Sequence, residues 1–314
     1  MILQTFEPNT QGRDFVIGDL HGAFPCFENL LKHLNFDREK DRMFSVGDLV
    51  DRGPDSLACL RLIREPWFHS VMANHEQMML HAFADGPFGM AWVRNGGSWG
   101  FEAYALSQSA QDGKLILDDD NYDIIDLQSK VAELPMLITV NMQDGRKYHI
   151  IHAELPKYLG IDKLLTGVVT DEVLADEESV RVLANEPVDA SGEEAFLWER
   201  NVFYHFCRMQ LHEDTVRRTV KYHFENQNAF GPDLSHIISG HTIVQRPLTI
   251  LGQTDIDTCA YGSCASDARG WEALTCIELG TWTFYQATPT EFRTVTPMVI
   301  TAESLAMEKK DDAS

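Results

Sequence analysis

The stretch Phe15-Val16-Ile17-Gly18-Asp19-Leu20-His21-Gly22 changes character at its midpoint. Its first three residues form an apolar run of strand type that breaks at Gly18, and Asp19 and His21 follow at once. Phe24, Phe27, Leu30, Leu31 and Leu34 then recur at helical spacing. The same sentence is written twice more. Met43 to Val46 reads as a strand that ends at Gly47 and yields Asp48-Leu49-Val50-Asp51-Arg52-Gly53. A helix start at Pro54-Asp55 follows, with Leu57, Leu60 and Ile63 on its buried face. Ser70 to Ala73 reads as a third strand, delivering Asn74-His75-Glu76 into a helix that carries Met79 and Phe83. Three strands each followed by a helix predict an α/β fold (α+β by some schemes) built on parallel βαβ units. The C-terminal strand edges of such a sheet lie side by side and form the ligand crevice. Asp19, His21, Asp48, Asn74 and His75 therefore converge.

Further along, Leu137–Val140 and Tyr148–His152 read as adjacent strands joined by a turn at Asp144-Gly145. The segment 155–194 is acidic and partly helical, and 202–235 is aromatic and His-rich, with the character of a helix and a loop. Four strands are expected at His236–Ser239, Thr254–Thr258, Leu274–Leu279 and Trp282–Ala287. We expect one domain over residues 1–301, with insertions near 155–195 and 202–235, and a solvated tail at 302–314.

Acidic residues outnumber basic ones 48 to 26, giving a formal charge of -22 over 314 residues. Nucleic-acid binding rests on Lys and Arg that neutralise phosphates, so nucleic acid is excluded as a partner, as is anionic lipid. The hydrophobic content of 44% is ample for a buried core. The N-terminus has no signal-peptide pattern, and no apolar run reaches the roughly 20 residues that span a bilayer. The six cysteines form no Cys-x-x-Cys pair and suggest reduced thiols in a cytoplasmic protein.

Each motif alone has a bland explanation. An Asp after a strand is usually a turn former or helix cap, and a lone His is usually packed or at the surface. Three successive strand ends carrying Asp-x-His, Asp-x-x-Asp-Arg and Asn-His are hard to obtain from packing alone. These blocks resemble the calcineurin-like metallophosphoesterases and, within them, the phosphoprotein phosphatases. The stretch Val16–Trp99 is most similar to the bacteriophage lambda-type serine/threonine phosphatases, including Asn95-Gly96-Gly97-Ser98-Trp99. The resemblance implies a two-sheet sandwich flanked by helices, and two more ligand histidines at strand ends. His241 in Gly240-His241-Thr242 matches one. For the other, His149 and His152 point to opposite faces of a strand, and the resemblance selects His152. It also implies that Trp198-Glu199-Arg200 supplies a second phosphate-binding arginine beside Arg52.

The implied chemistry is phosphate monoester hydrolysis, most closely that of a serine/threonine phosphoprotein phosphatase. A hydroxide bridging two divalent ions attacks phosphorus. Asp19, His21 and Asp48 hold one ion; Asp48, Asn74, His152 and His241 hold the other. Mixed oxygen and imidazole donors suit manganese, with iron or zinc also fitting. Arg52 and Arg200 fork onto phosphate oxygens, and His75, partnered by Asp51, protonates the leaving group. The substrate is a phosphoprotein or small phosphoester. The alternative is a symmetrical diadenosine tetraphosphate hydrolase. Such relatives often lack the Asp of the second block and carry Asp after Asn-His, so Asp51 and Glu76 favour the phosphatase. Ala73 and Cys259 stand where the family commonly has glycine, and a positive φ at Ala73 would be strained.

Overall fold

A computed structural model describes residues 2–84, 89–100, 110–111, 114–115, 119–155, 169–185, 194–200, 203, 233–250 and 252–300. The chain runs β1 (Leu3–Phe6), β2 (Asp14–Ile17), α1 (Phe24–Leu34), β3 (Arg42–Ser45), α2 (Ser56–Arg61), β4 (Phe68–Ser70) and α3 (Asn74–Phe83). Next come α4 (Gly89–Arg94), a ribbon of β5 (Ala110–Gln111) and β6 (Lys114–Leu115), and α5 (Asp119–Val131). β7 (Leu137–Asn141) and β8 (Lys147–Ile150) precede three short helices, α6 (Asp171–Ala175), α7 (Glu177–Ala184) and α8 (Ala195–Trp198). The remaining strands are β9 (His236–Ser239), β10 (Leu248–Ile250), β11 (Gln253–Asp255), β12 (Leu274–Glu278), β13 (Thr283–Ala287), β14 (Phe292–Val295) and β15 (Met298–Ile300).

Two sheets result. One has the order β14-β13-β12-β2-β3-β4, the other β1-β7-β8-β9-β11-β10-β15. In the first, β2, β3 and β4 pair in parallel, as the strand–helix alternation predicts. Period-two alternation sorts their side chains into layers. Val16 and Phe44 face inward and meet Ile138, Val140, Ile150 and Ile238 of the second sheet, forming the core between the sheets. Phe15, Ile17 and Met43 face outward, where Phe27, Leu30 and Leu34 of α1, Leu60 of α2 and Met78 and Met79 of α3 cover them. On the far side, Leu137 and Ile237 are covered by Leu174, Val180, Leu183 and Phe196 of α6, α7 and α8. The order is helices, sheet, sheet, helices.

Two strand expectations shift. The third strand ends at Ser70, not Ala73. Val71 N–H still reaches Ser45 O at 3.2 Å, but Met72 N–H turns to Pro135 O at 2.7 Å. That exit leaves Asn74 and His75 in the first turn of α3. Ala73 is extended at φ -128°, so it bears no strain. The expected strand at Thr254–Thr258 is instead Gln253–Asp255, and β1, β10, β14 and β15 arise without a distinct sequence signal. β1 pairs with β7, more than 130 residues away, a contact that no local pattern encodes. Most of 155–195 and 202–235, and all of 302–314, lie outside the described residues. Among the described residues no helix is long and apolar enough to cross a membrane.

Candidate metal centre

Both sheets deliver chemistry at the same edge of the sandwich. Asp19 and His21 follow β2; Asp48, Asp51 and Arg52 follow β3; Asn74 and His75 follow β4. His152 follows β8, and His241 follows β9, its parallel neighbour in the other sheet. All of these except Arg52 are buried. Tight loops make the gathering possible. His21, Asp48, Asp51, Arg52 and His241 all have positive φ, between 44° and 73°. Each such residue costs roughly 1–2 kcal/mol relative to ordinary backbone, and strain of this kind clusters at functional sites. Cys259 is also left-handed at φ 59°, a conformation that glycine adopts without cost. Gly240 is required by closeness: a Cβ there would lie 1.9 Å from Asp19 Oδ1.

Asp48 is the hub. His21 Nε2 lies 3.2 Å from Asp48 Oδ2, and His152 Nε2 lies 3.6 Å from Oδ1. Ligand atoms of His21, Asp48 and His75 lie within 4.8 Å of one another, as do those of Asp48, His152 and His241. Asp19 is not in the first of these groups, where His75 stands beside the Asp48 carboxylate. The Asp19 carboxylate instead accepts His241 N–H at 3.1 and 3.3 Å. Asn74 presents Oδ1 2.8 Å from His152 Nε2. Arg52 Nη1 donates to His21 Nε2 at 2.7 Å and Nη2 to His75 Nε2 at 3.0 Å. Arg200 is exposed at the rim, with its charge felt at His241 and Asp255. Trp198, two residues earlier, sets its ring edge-on to His241 at 5.9 Å.

The donor set fits cations on several independent observations. His21 Nδ1 donates to Val50 O and His152 Nδ1 to Val46 O, each at 2.8 Å. That fixes the tautomer and leaves an Nε2 lone pair facing the centre. His152 Nε2 and Asn74 Oδ1 are then two acceptors in contact, favourable only with a positive charge beside them. Among the described residues, His241 Nε2 is buried with no hydrogen-bond partner. Burial pushes the His152 imidazole down to about 4, and His21 and His241 also fall below the ordinary range for the same reason. That direction favours the neutral ring that a metal ligand needs. Burial pushes the Asp19 carboxyl well up, with repulsion from Asp257, Asp48 and Asp255 added. Burial also raises Asp48, but His152, His75 and His21 outweigh it and hold that carboxyl well below the usual range. Two buried carboxyl groups crowded this closely leave a place that a cation would relieve.

Apart from the pairing of Asp51 with His75, sequence reasoning missed the supports beneath these ligands. Glu76 is fully buried, and its carboxylate accepts the N–H groups of Asp48, Leu49 and Val50 at 3.0, 2.9 and 3.4 Å. It props the Asp48 turn from below. Tyr261 sets its ring edge-on to His21 at 5.4 Å and beneath Arg52 at 5.4 Å. Asp51 Oδ2 accepts from His75 Nδ1 at 2.6 Å and from Trp92 Nε1 at 2.9 Å, and Trp99 Nε1 donates to Oδ1 at 2.7 Å. The Asn95–Trp99 motif was a visible signal, but its spacing does not say what it touches.

A two-sheet sandwich with this cage at its strand edge defines a phosphoesterase scaffold, and the chain belongs to the calcineurin-like phosphoesterase family, whose model matches residues 15–245. Among curated relatives, it is 39% identical over 142 residues to serine/threonine-protein phosphatase 2 of Escherichia coli K12, spanning 45% of this chain and 58% of that one. A shorter match, 43% identical over 68 residues, is to the symmetrical bis(5'-nucleosyl)-tetraphosphatase of Glaesserella parasuis, with 21% and 25% covered. Against the phosphatase relatives the chain covers from 50% to 66% of their length. In fold alone it is similar to a cold-active protein-tyrosine phosphatase of a psychrophilic Shewanella, at TM-score 0.50 and 18% identity, over 94% of this chain and 82% of that one.

Proposed function

We propose that the protein is a metal-dependent hydrolase of phosphate monoesters, acting on serine and threonine phosphoproteins. The observation that carries this reading is the position of Asp48, whose two oxygens face different imidazoles, His21 and His152, and which both ligand trios share. A carboxylate shared in this way is what a paired cation centre requires. Asp19, His21 and Asp48 hold one ion; Asp48, Asn74, His152 and His241 hold the other. Manganese is the expected metal, with iron and zinc suited to the same donors. Two divalent ions supply positive charge against the phosphate and acidify water at neutral pH.

The chain's own groups do the rest. Arg52 reaches the His21 and His75 lone pairs, so its guanidinium stands where phosphate oxygens must come, and its planar fork suits them. Arg200 lies at the rim to complete the clamp. His75 would give the proton to the leaving oxygen from Nε2 once phosphate draws Arg52 off that atom, while Asp51 accepts from Nδ1 and fixes the ring. The acidic surface does not oppose this, because two ions bring four positive charges against two ligand carboxylates. The names of the longer-matching relatives support a phosphoprotein substrate over a dinucleotide, as does the presence of Asp51 and Glu76 in the second and third motifs. We also infer a single domain over 1–301 and a reducing, cytoplasmic location, in keeping with the free thiols of Cys26, Cys59, Cys259, Cys264 and Cys276.

The test is turnover after chelation and add-back of Mn²⁺, Zn²⁺ or Fe²⁺, on p-nitrophenyl phosphate, phosphoserine and phosphothreonine peptides, and diadenosine tetraphosphate. Activity should vanish in chelator, return with metal and favour the phosphopeptides. Full turnover without bound metal overturns the reading, and preference for the dinucleotide replaces it with the phosphoanhydride hydrolase.

A further inference from the structure

The Asp51 carboxylate is wholly buried, and three ring N–H groups converge on it. His75 Nδ1 takes Oδ2 at 2.6 Å. Trp92 Nε1 bridges both oxygens at 2.9 and 3.1 Å, and Trp99 Nε1 takes Oδ1 at 2.7 Å. The two indoles meet edge to face, with centroids 6.1 Å apart. An indole N–H is a donor that never titrates, and its ring keeps water away. Two such donors hold the plane of the carboxylate, so that Oδ2 faces one ring nitrogen of His75 and the ring's other nitrogen points at the centre.

The loop that brings Trp99 here is built for contact. A Cβ on Gly96, at φ +103°, would lie 2.5 Å from Arg52 N, and one on Gly97 would lie 2.3 Å from the Trp92 ring. The Gly96-Gly97 pair therefore seats the loop directly on the Asp51-Arg52 turn. We propose that Trp92 and Trp99 are positioning residues that act through Asp51 to orient His75; this rests on the reading of His75 as the acid given above. Neither indole is a catalytic residue.

Two measurements on the full, metal-loaded chain test it. With ¹⁵N-labelled tryptophan, two of the six indole signals should lie downfield and move upfield in Asp51→Asn; single Trp→Phe variants identify them. If both stay in place in Asp51→Asn, the clamp does not exist. In kinetics, Trp99→Phe should lower kcat on a phosphoserine peptide by about tenfold, a fraction of the general-acid contribution. On p-nitrophenyl phosphate, whose leaving group needs little protonation, the loss should be much smaller, with KM unchanged on both. In an Asp51→Asn background the same substitution should add little, because the two act as one unit. Equal losses on both substrates, or full additivity with Asp51→Asn, overturn the proposal. If the wild type turns over neither substrate, the hydrolase reading fails, and the indole shifts separately decide whether the clamp exists.

Discussion

The molecule holds two histidine–aspartate pairs that look alike on paper. In one, His75 Nδ1 meets Asp51 Oδ2 at 2.6 Å; in the other, His149 Nε2 meets Asp171 Oδ1 at 3.0 Å. Their surroundings differ in kind. Asp51 is 0% exposed, sits on left-handed backbone and is held by indoles, while His75 leaves its second nitrogen toward the centre. Asp171 is 24% exposed and also accepts from Lys147, Ser235 N–H and the Ser235 hydroxyl. His149 spends its other nitrogen on Thr139 Oγ1 at 2.9 Å. The second pair is saturated and binds strands β7 and β8 to α6. The first turns its other ring atom to Arg52 and the centre. The pair itself is not the site; the atom turned to the centre is.

The largest expected effect breaks this comparison if it fails. His75→Asn and Asp48→Asn should each lower kcat by about 10²–10⁴ while the fold persists, whereas His149→Asn should leave kcat within about twofold. Comparable losses from His149→Asn would erase the distinction. Removing metal comes next. A ligand present at 100 times its Kd stabilises by about 2.7 kcal/mol, so chelation should lower the melting temperature of the wild type and of Asp171→Asn alike, but barely that of Asp48→Asn.

Asp171→Asn should cost about 1 kcal/mol, the worth of a partly exposed charge-assisted cluster, measured as a urea midpoint shift with kcat unchanged. The smallest effect is its pH dependence. Burial pushes the Asp171 carboxyl up, but the bonds from His149, Ser235 and Lys147 outweigh it and hold it well below the ordinary range. Its folded value lies under its unfolded value of about 3.9. The stabilisation is therefore complete above about pH 4 and fades as pH falls further. The midpoint difference between wild type and Asp171→Asn should be constant from neutral pH to that point and shrink below it. A difference that grows on acidification would reverse the sign.

Much of the fold was legible because parallel strands with both faces covered write themselves as apolar runs, and Phe15-Val16-Ile17 is one. The residues at the strand ends were legible because a Gly-Asp or Asn-His break at a fixed place in a repeated unit is a local signal. Parity showed that His149 and His152 face opposite ways, but not which way the site lay. β14 and β15 were missed because edge strands with exposed residues such as Met298 and Val299 carry little alternation. β1 was missed because its partner is remote.

By itself, the sequence determined the βαβ half and the chemical types offered at each strand end. These depend on neighbours within a few residues, where periodicity and turn chemistry act. Only the tertiary structure decided that Asp48 faces two imidazoles, that Glu76 carries the loop beneath it and that two indoles close on Asp51. A hydrogen bond between single atoms of distant loops is set by how two sheets stack and where their edges coincide, and that geometry leaves no trace in local spacing.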